Sequence, residues 1–188
     1  MEIGILALQG AFAEHRKTLS SIPGITTHEI RNAEDLDRPM DGIVIPGGES
    51  TAITKLLESL GMWDLLKSKI DAGLPVFGTC AGLIILARKT LDGKKCLDAI
   101  DITVSRNAYG RQIDSFFSFG TMSDKQVFPL VFIRAPIIDE TGPDVECLCM
   151  DKGHIVACRN DRILVTSFHP ELTDNPYFHE LFVKMCAK

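Results

Sequence analysis

The chain lacks an excess of basic residues. Its 20 Lys and Arg are outnumbered by 25 Asp and Glu, giving a formal net charge of −5. No basic cluster and no run of like charge stands out, and a nucleic-acid surface needs such a patch. No apolar stretch is long enough to span a bilayer. The first residues, Met1-Glu2-Ile3-Gly4-Ile5-Leu6-Ala7-Leu8, have neither a basic start nor a small-residue cleavage site. They do not read as a signal peptide; they read as a buried first strand. A cytoplasmic chain with reduced thiols is the expectation. Internal repeats, low-complexity segments and linker-like composition are also missing. What is present is an ordinary globular balance, 45% hydrophobic and 24% charged over 188 residues. That excludes global disorder and suits one domain with a sizeable core.

The six cysteines are Cys80, Cys96, Cys147, Cys149, Cys158 and Cys186. A chain this large and apolar does not need disulfide staples. Cys147 and Cys149 have no second Cys/His pair at zinc-site spacing. They read as two same-face residues of a strand.

Strands and helices alternate in the first half. Strands are expected at the start, at 25–30, at 41–46 and at 75–78. The third is continuously apolar at its centre, as in a strand covered on both faces. Helices are expected at 12–21, at 51–72 with a break near Gly61, and at 81–89. Gly73 reads as a helix stop. This alternation predicts an α/β fold with a mostly parallel, doubly wound sheet. The second half is different, with strand-like segments at 100–104, 114–121, 130–134, 145–150, 154–159 and 163–167. A final helix covers about 176–185.

Phe77-Gly78-Thr79-Cys80-Ala81-Gly82-Leu83 runs from strand through Gly-x-Cys-x-Gly directly into helix. This is the cysteine version of a nucleophile elbow. A sharp strand-to-helix turn crowds the backbone, and small residues at Gly78 and Gly82 relieve the clash. The helix head offers unsatisfied N–H groups and positive dipole to the sulfur, favouring thiolate. The N–H of Ala81 is placed to serve an oxyanion. A buried structural cysteine beside a turn is the bland alternative, and the two glycines argue against it.

Ser167-Phe168-His169-Pro170-Glu171 follows an apolar strand. Proline disfavours a helical His169, and extended residues two apart point the same way. His169 and Glu171 can then form a base-and-orienter pair for Cys80. Ile45-Pro46-Gly47-Gly48-Glu49-Ser50-Thr51 runs from strand to helix. Its glycines allow close backbone approach to a ligand, and Ser50 or Thr51 can cap the helix. A glycine N–H there can be a second oxyanion donor, with Glu49 taking a cationic group such as an α-amine. A phosphate cradle is the rival, disfavoured by the Glu49 carboxylate. A plain capped turn is the third reading.

Together these segments resemble class I, triad-type glutamine amidotransferases. Leu8-Gln9-Gly10, Arg106-Asn107-Ala108-Tyr109-Gly110-Arg111-Gln112, Phe132-Ile133-Arg134-Ala135-Pro136 and Leu172-Thr173 add a closer likeness, to the glutaminase subunits of pyridoxal 5′-phosphate synthase. The resemblance spans nearly the whole chain, as one amidotransferase domain over residues 1–188. It implies a flavodoxin-like three-layer sandwich with extra antiparallel strands in the second half. It implies Cys80, His169 and Glu171 as the triad, and Gly48 with Ala81 as oxyanion donors. It places L-glutamine on Gly47, Gly48, Glu49, Arg106, Ile133 and Arg134; an arginine suits the α-carboxylate. It implies hydrolysis through a thioester with no metal or organic cofactor. It also implies a hetero-oligomeric partner, the synthase (lyase) subunit that consumes the ammonia, with Gln9 and Gly10 responding to docking. Neither nucleic acid nor membrane is an expected partner. Three alternatives stay open: a glutaminase of another pathway, such as histidine or purine biosynthesis; a non-catalytic glutamine sensor; and a cysteine hydrolase or chaperone-like protein of the related superfamily.

Overall fold

A computed structural model describes residues 1–106, 115–123 and 126–187. The expected strand at 114–121 therefore begins, within the described residues, at Ser115, and most of the segment 106–112 lies outside them.

Strands β1 (Glu2–Leu6), β2 (Thr26–Ile30), β3 (Gly42–Ile45) and β4 (Val76–Thr79) alternate with helices α1 (Phe12–Ser20), α2 (Ala33–Asp37), α3 (Ser50–Ser59) and α4 (Trp63–Asp71). After β4 come α5 (Ala81–Leu86), β5 (Ala87–Thr90), β6 (Ile100–Ser105), β7 (Ser115–Met122) and β8 (Val127–Ile133). The chain continues through β9 (Ile137–Thr141), β10 (Glu146–Asp151), β11 (His154–Arg159), β12 (Ile163–Thr166), a 3₁₀ turn (Pro170–Leu172) and α6 (Tyr177–Cys186).

The sheet runs β2-β1-β3-β4-β12-β11-β10-β7-β8, with β9 also pairing β11 and carrying β6 and β5. Its first five strands are parallel; the pairings beyond β12 on that path are antiparallel. A parallel sheet with helices on both faces is the doubly wound arrangement, and ligands collect at the strands' carboxyl ends. Two buried clusters explain the continuous apolar runs. Ile43, Ile45, Val76, Ile163 and Val165 join one cluster with residues of α2 to α5. Val44, Phe77 and Leu164 join the other with Leu19 of α1 and Phe178 and Phe182 of α6. Adjacent residues of one strand thus feed opposite cores, as the two-residue strand period requires.

Several expectations need correction. The helix after β4 ends at Leu86 rather than continuing to residue 89. The N–H groups of Leu97, Asp98 and Ala99 take the carbonyls of Ile85, Ala87 and Leu86 at 2.7, 3.1 and 2.9 Å, and the chain leaves as β5 alongside β6. Helix α2 and strand β9 are additions. Asn32 starts α2 by accepting from Asp35 N–H, while acidic residues in β9 mask its strand character. Strand β8 starts at Val127 and tolerates Pro129 because it closes the sheet's edge. Cys147 and Cys149 do not share a face. A bulge pairs Cys147 with Cys158 and Cys149 with Ala157, so the intervening residue breaks the alternation.

The break near Gly61 and the stop at Gly73 are present, at φ 66° and 96°. The tightest backbone approach is at the elbow. A Cβ on Gly82 would lie 2.1 Å from the Ile45 carbonyl oxygen, and one on Gly78 would lie 2.8 Å from the Gly82 carbonyl carbon. Gly82→Ala should therefore lower the unfolding free energy by about 2–3 kcal/mol through overpacking. A urea midpoint equal to wild type would contradict that packing.

Candidate active site

The end of β4 and the head of α5 hold Cys80 at φ 48° and ψ −96°. This is the left-handed side of the map, costing about 1–3 kcal/mol for a residue with a side chain. The neighbours fix it there: Cys80 N–H donates to the Thr166 carbonyl of β12 at 2.8 Å. The thiol is buried and points to the Ile133 carbonyl at 3.6 Å. Ala81 opens α5, so its N–H is among those a helix cannot satisfy internally.

His169 follows β12, with its N–H bonded to the Val131 carbonyl at 2.8 Å. The extended pairing expected for His169 and Glu171 is not how they meet. Pro170, Glu171 and Leu172 form a 3₁₀ turn with His169 at its cap. The turn still brings Nδ1 of His169 to Oε1 of Glu171 at 2.8 Å. Both side chains are almost wholly buried. Nε2 of His169 makes no hydrogen bond of ordinary geometry among the described residues. The Cys80 thiol nevertheless acts on this ring, and thiol–imidazole contacts are often looser than ordinary hydrogen bonds before substrate binds. Burial alone would push the imidazole down, but hydrogen bonding by Cys80 and Glu171, with their charges, raises it to about 10. Burial would raise the Glu171 carboxyl; the imidazoles of His15 and His169 on its two sides instead hold it well below its ordinary value.

Gly47 packs between these groups. A Cβ there would lie 2.2 Å from His169 Cε1 and 3.3 Å from Cys80 Cβ, so only glycine fits. Gly47 N–H donates to Thr79 Oγ1 at 2.9 Å. Gly10, at φ 96°, leaves room for the Gly47 carbonyl, which a Cβ would meet at 1.8 Å. Gln9 Oε1 accepts the Glu49 N–H at 2.8 Å and lies against Gly48. Gln9 and Gly10 are thus built into the glycine loop.

Glu49 rather than Ser50 or Thr51 caps α3, accepting from Thr51 and Ala52 N–H at 2.9 and 2.8 Å. Slight burial opposes its charge, but these N–H groups and Arg106 hold its carboxyl below the ordinary value. Arg106 is anchored by Asp92 through Nε and Nη2 at 2.8 and 2.6 Å. Its Nη1 reaches Ser50 and Thr51 hydroxyls, both at 3.3 Å. Arg134 has φ 45° and follows Ile133 at the cavity wall. Gln9, Gly10, Gly47, Gly48, Glu49, Cys80, Arg106, Ile133, Arg134 and His169 all line one cavity of about 810 Å³. Ala81 and Glu171 stand behind it. Of the matched segment after Arg106, residues 107–112 lie outside the described residues.

The sequence reading misses four residues here. Asp92 orients Arg106. Thr79, His15 and His179 lie behind Glu171: His15 Nε2 is 3.5 Å from Glu171 Oε2 and 3.1 Å from Thr79 Oγ1, and its Nδ1 is 2.9 Å from His179 Nε2. Only the apolar neighbours of His179 in the sequence hint at its burial. Among the described residues, no group of three or more His, Cys, Asp or Glu is placed to hold a metal ion. No helix there is long and apolar enough to cross a membrane.

Comparison with known proteins agrees with this architecture. Proteins called "Pyridoxal 5'-phosphate synthase subunit PdxT" are similar along their full lengths. That of Ruminiclostridium cellulolyticum is 48% identical, over 98% of both chains. That of Methanocorpusculum labreanum is also 48% identical, over 100% of this chain and 98% of its own. A crystal structure described as a glutamine amidotransferase matches with a TM-score of 0.91 at 38% identity, covering 99% of each chain. A Thermoplasma acidophilum protein described as part of a putative GMP synthase shares the fold, with a TM-score of 0.72 at 16% identity, over 100% of this chain and 94% of its own. Residues 5–188 match the family described as SNO glutamine amidotransferase, and with relatives this close over the full length, the chain belongs to that family.

Proposed function

We propose that this chain is the glutaminase subunit of a pyridoxal 5′-phosphate synthase, hydrolysing L-glutamine to L-glutamate and ammonia. The observation that carries this reading is the buried His169–Glu171 bond of 2.8 Å, whose imidazole lines the same cavity as a cysteine held at a helix head. The Cys80 sulfur, its proton passed to His169, attacks the side-chain amide carbon. The N–H groups of Gly48 and Ala81 receive the tetrahedral oxyanion. His169, charged at neutral pH by its neighbours, gives its proton to the departing ammonia and then activates water to cleave the thioester. Glu171 fixes the ring's orientation and supports its charge.

Glutamine binding follows from charge. Arg106, preset by Asp92, takes the α-carboxylate. Glu49 and the Ile133 carbonyl are the acceptors for the α-amine, with Arg134 and Gly47 completing the wall. Release of free ammonia would waste glutamine, so the partner is the synthase subunit that consumes it. Gln9 and Gly10 touch the glycine loop, and docking acts on the oxyanion donors through them. The compartment we infer is the cytoplasm, since all six cysteines are free thiols.

Ammonia release from glutamine, measured with and without the matching synthase subunit, tests the assignment. Cys80→Ala should abolish turnover while leaving the circular-dichroism spectrum and melting temperature near wild type; substantial activity in that variant would refute the nucleophile. Protonation gives a second check. His169 in the folded chain holds a proton up to about pH 10, against an ordinary 6.5. Its stabilisation is therefore complete below 6.5 and is lost as pH rises towards about 10. The unfolding free-energy difference between wild type and His169→Gln should shrink across that window. A difference that stays constant would mean the imidazole is not charged in the native state.

A further inference from the structure

The outer oxygen of Glu171, Oε2, makes no hydrogen bond of ordinary geometry among the described residues. The group facing it is Nε2 of His15, at 3.5 Å. The same nitrogen lies 3.1 Å from Thr79 Oγ1, which accepts the Gly47 N–H at 2.9 Å. His15 and His179 are both fully buried. Phe77 meets both rings edge-on, with centroids 5.9 and 5.6 Å away.

The contact with Glu171 places one hydrogen. A carboxylate facing a bare ring nitrogen would be repelled, so Nε2 of His15 carries the hydrogen and shares it between Glu171 and Thr79. Nδ1 of His15 pairs with Nε2 of His179 at 2.9 Å. The remaining nitrogen, Nδ1 of His179, has no partner among the described residues. Burial pushes His179 down to about 3, so it faces His15 as a neutral ring over the working pH range.

We propose that His15 is a positioning residue of the glutaminase, holding the triad carboxylate on one side and, through Thr79, the Gly47 peptide on the other. The proposal rests on the triad assignment made above. It makes one imidazole the common anchor for the group that orients His169 and for the peptide just before the oxyanion donor Gly48. Helix α1, which carries His15, also meets this loop directly: Ala11 N–H donates to the Gly47 carbonyl at 3.2 Å.

The experiment compares His15→Phe, His15→Gln and His15→Asn in the assembled complex, by ammonia release at varied glutamine. Phe keeps the ring volume and loses the N–H. Gln returns a donor near the Nε2 position, whereas the shorter Asn reaches only the Nδ1 position. His15→Phe should lower kcat roughly 10- to 100-fold, the scale on which a misplacement of about 1 Å acts. Its KM should stay within about threefold of wild type, since α-group binding lies elsewhere. His15→Gln should recover most of the loss and exceed His15→Asn by about tenfold in kcat. Should His15→Phe prove insoluble, the Gln and Asn variants decide alone. Wild-type kcat in His15→Phe, or equal kcat in the Gln and Asn variants, overturns the proposal. A wild-type complex that releases no ammonia overturns the glutaminase reading and this one with it.

Discussion

Cys80 occupies a backbone conformation that side chains avoid, and much of the molecule's architecture exists to keep it there. β4 leads in, and β12 supplies the carbonyl that takes the Cys80 N–H. α5 presses on the turn closely enough that Gly82 meets the backbone of β3. A six-residue helix with every side chain buried could not stand alone in water. It survives because its last carbonyls are capped by the chain that returns at Leu97 to Ala99. The strain of one residue is thus spread over three strands, a helix and a loop. The parallel centre of the sheet is what brings these pieces to one end.

The site adds a second burden, a buried ionised carboxylate. An unpaired charge of this kind is strongly destabilising, and breaking such a pair leaves about 3–5 kcal/mol uncompensated. Glu171 is met by imidazoles from two directions, one on the short turn beside it and one on α1. Pairing with titratable rings keeps the carboxylate charged without locking it to a permanent cation. That suits an orienting group, which must support charge on His169 when it forms and tolerate its loss when the proton leaves.

The legible parts of the sequence are those whose cause is local. Gly78 and Gly82 are written where the turn would clash, and the apolar runs of β3, β4 and β12 announce burial on both faces. Gly61 and Gly73 mark helix breaks by the positive φ they permit. The illegible parts depend on distant partners. The early end of α5 is set by N–H groups ten or more residues on. His15 sits among Glu14, Arg16 and Lys17 and looks like a solvent-facing residue; its partner His179 is 164 residues away. His169 and Glu171 are readable as a pair, but their 3₁₀ geometry is not, because proline at the first position suits a tight turn as well as an extended run. Glu49 hides its role as a cap because a carboxylate beside two glycines also suits a ligand.

The far end of the sheet is built differently from its centre. β8 closes it, and Phe117, Phe119 and Val127 stand open to solvent on this terminal hairpin. Such a rim is a template for another extended chain, the usual route to fibrous self-association. Pro129, placed opposite Phe119, withholds one donor from any incoming ladder and interrupts the run of apolar residues. A residue at odds with strand propensity thereby acts as a gatekeeper, letting aromatic surface stay uncovered without templating its own polymerisation.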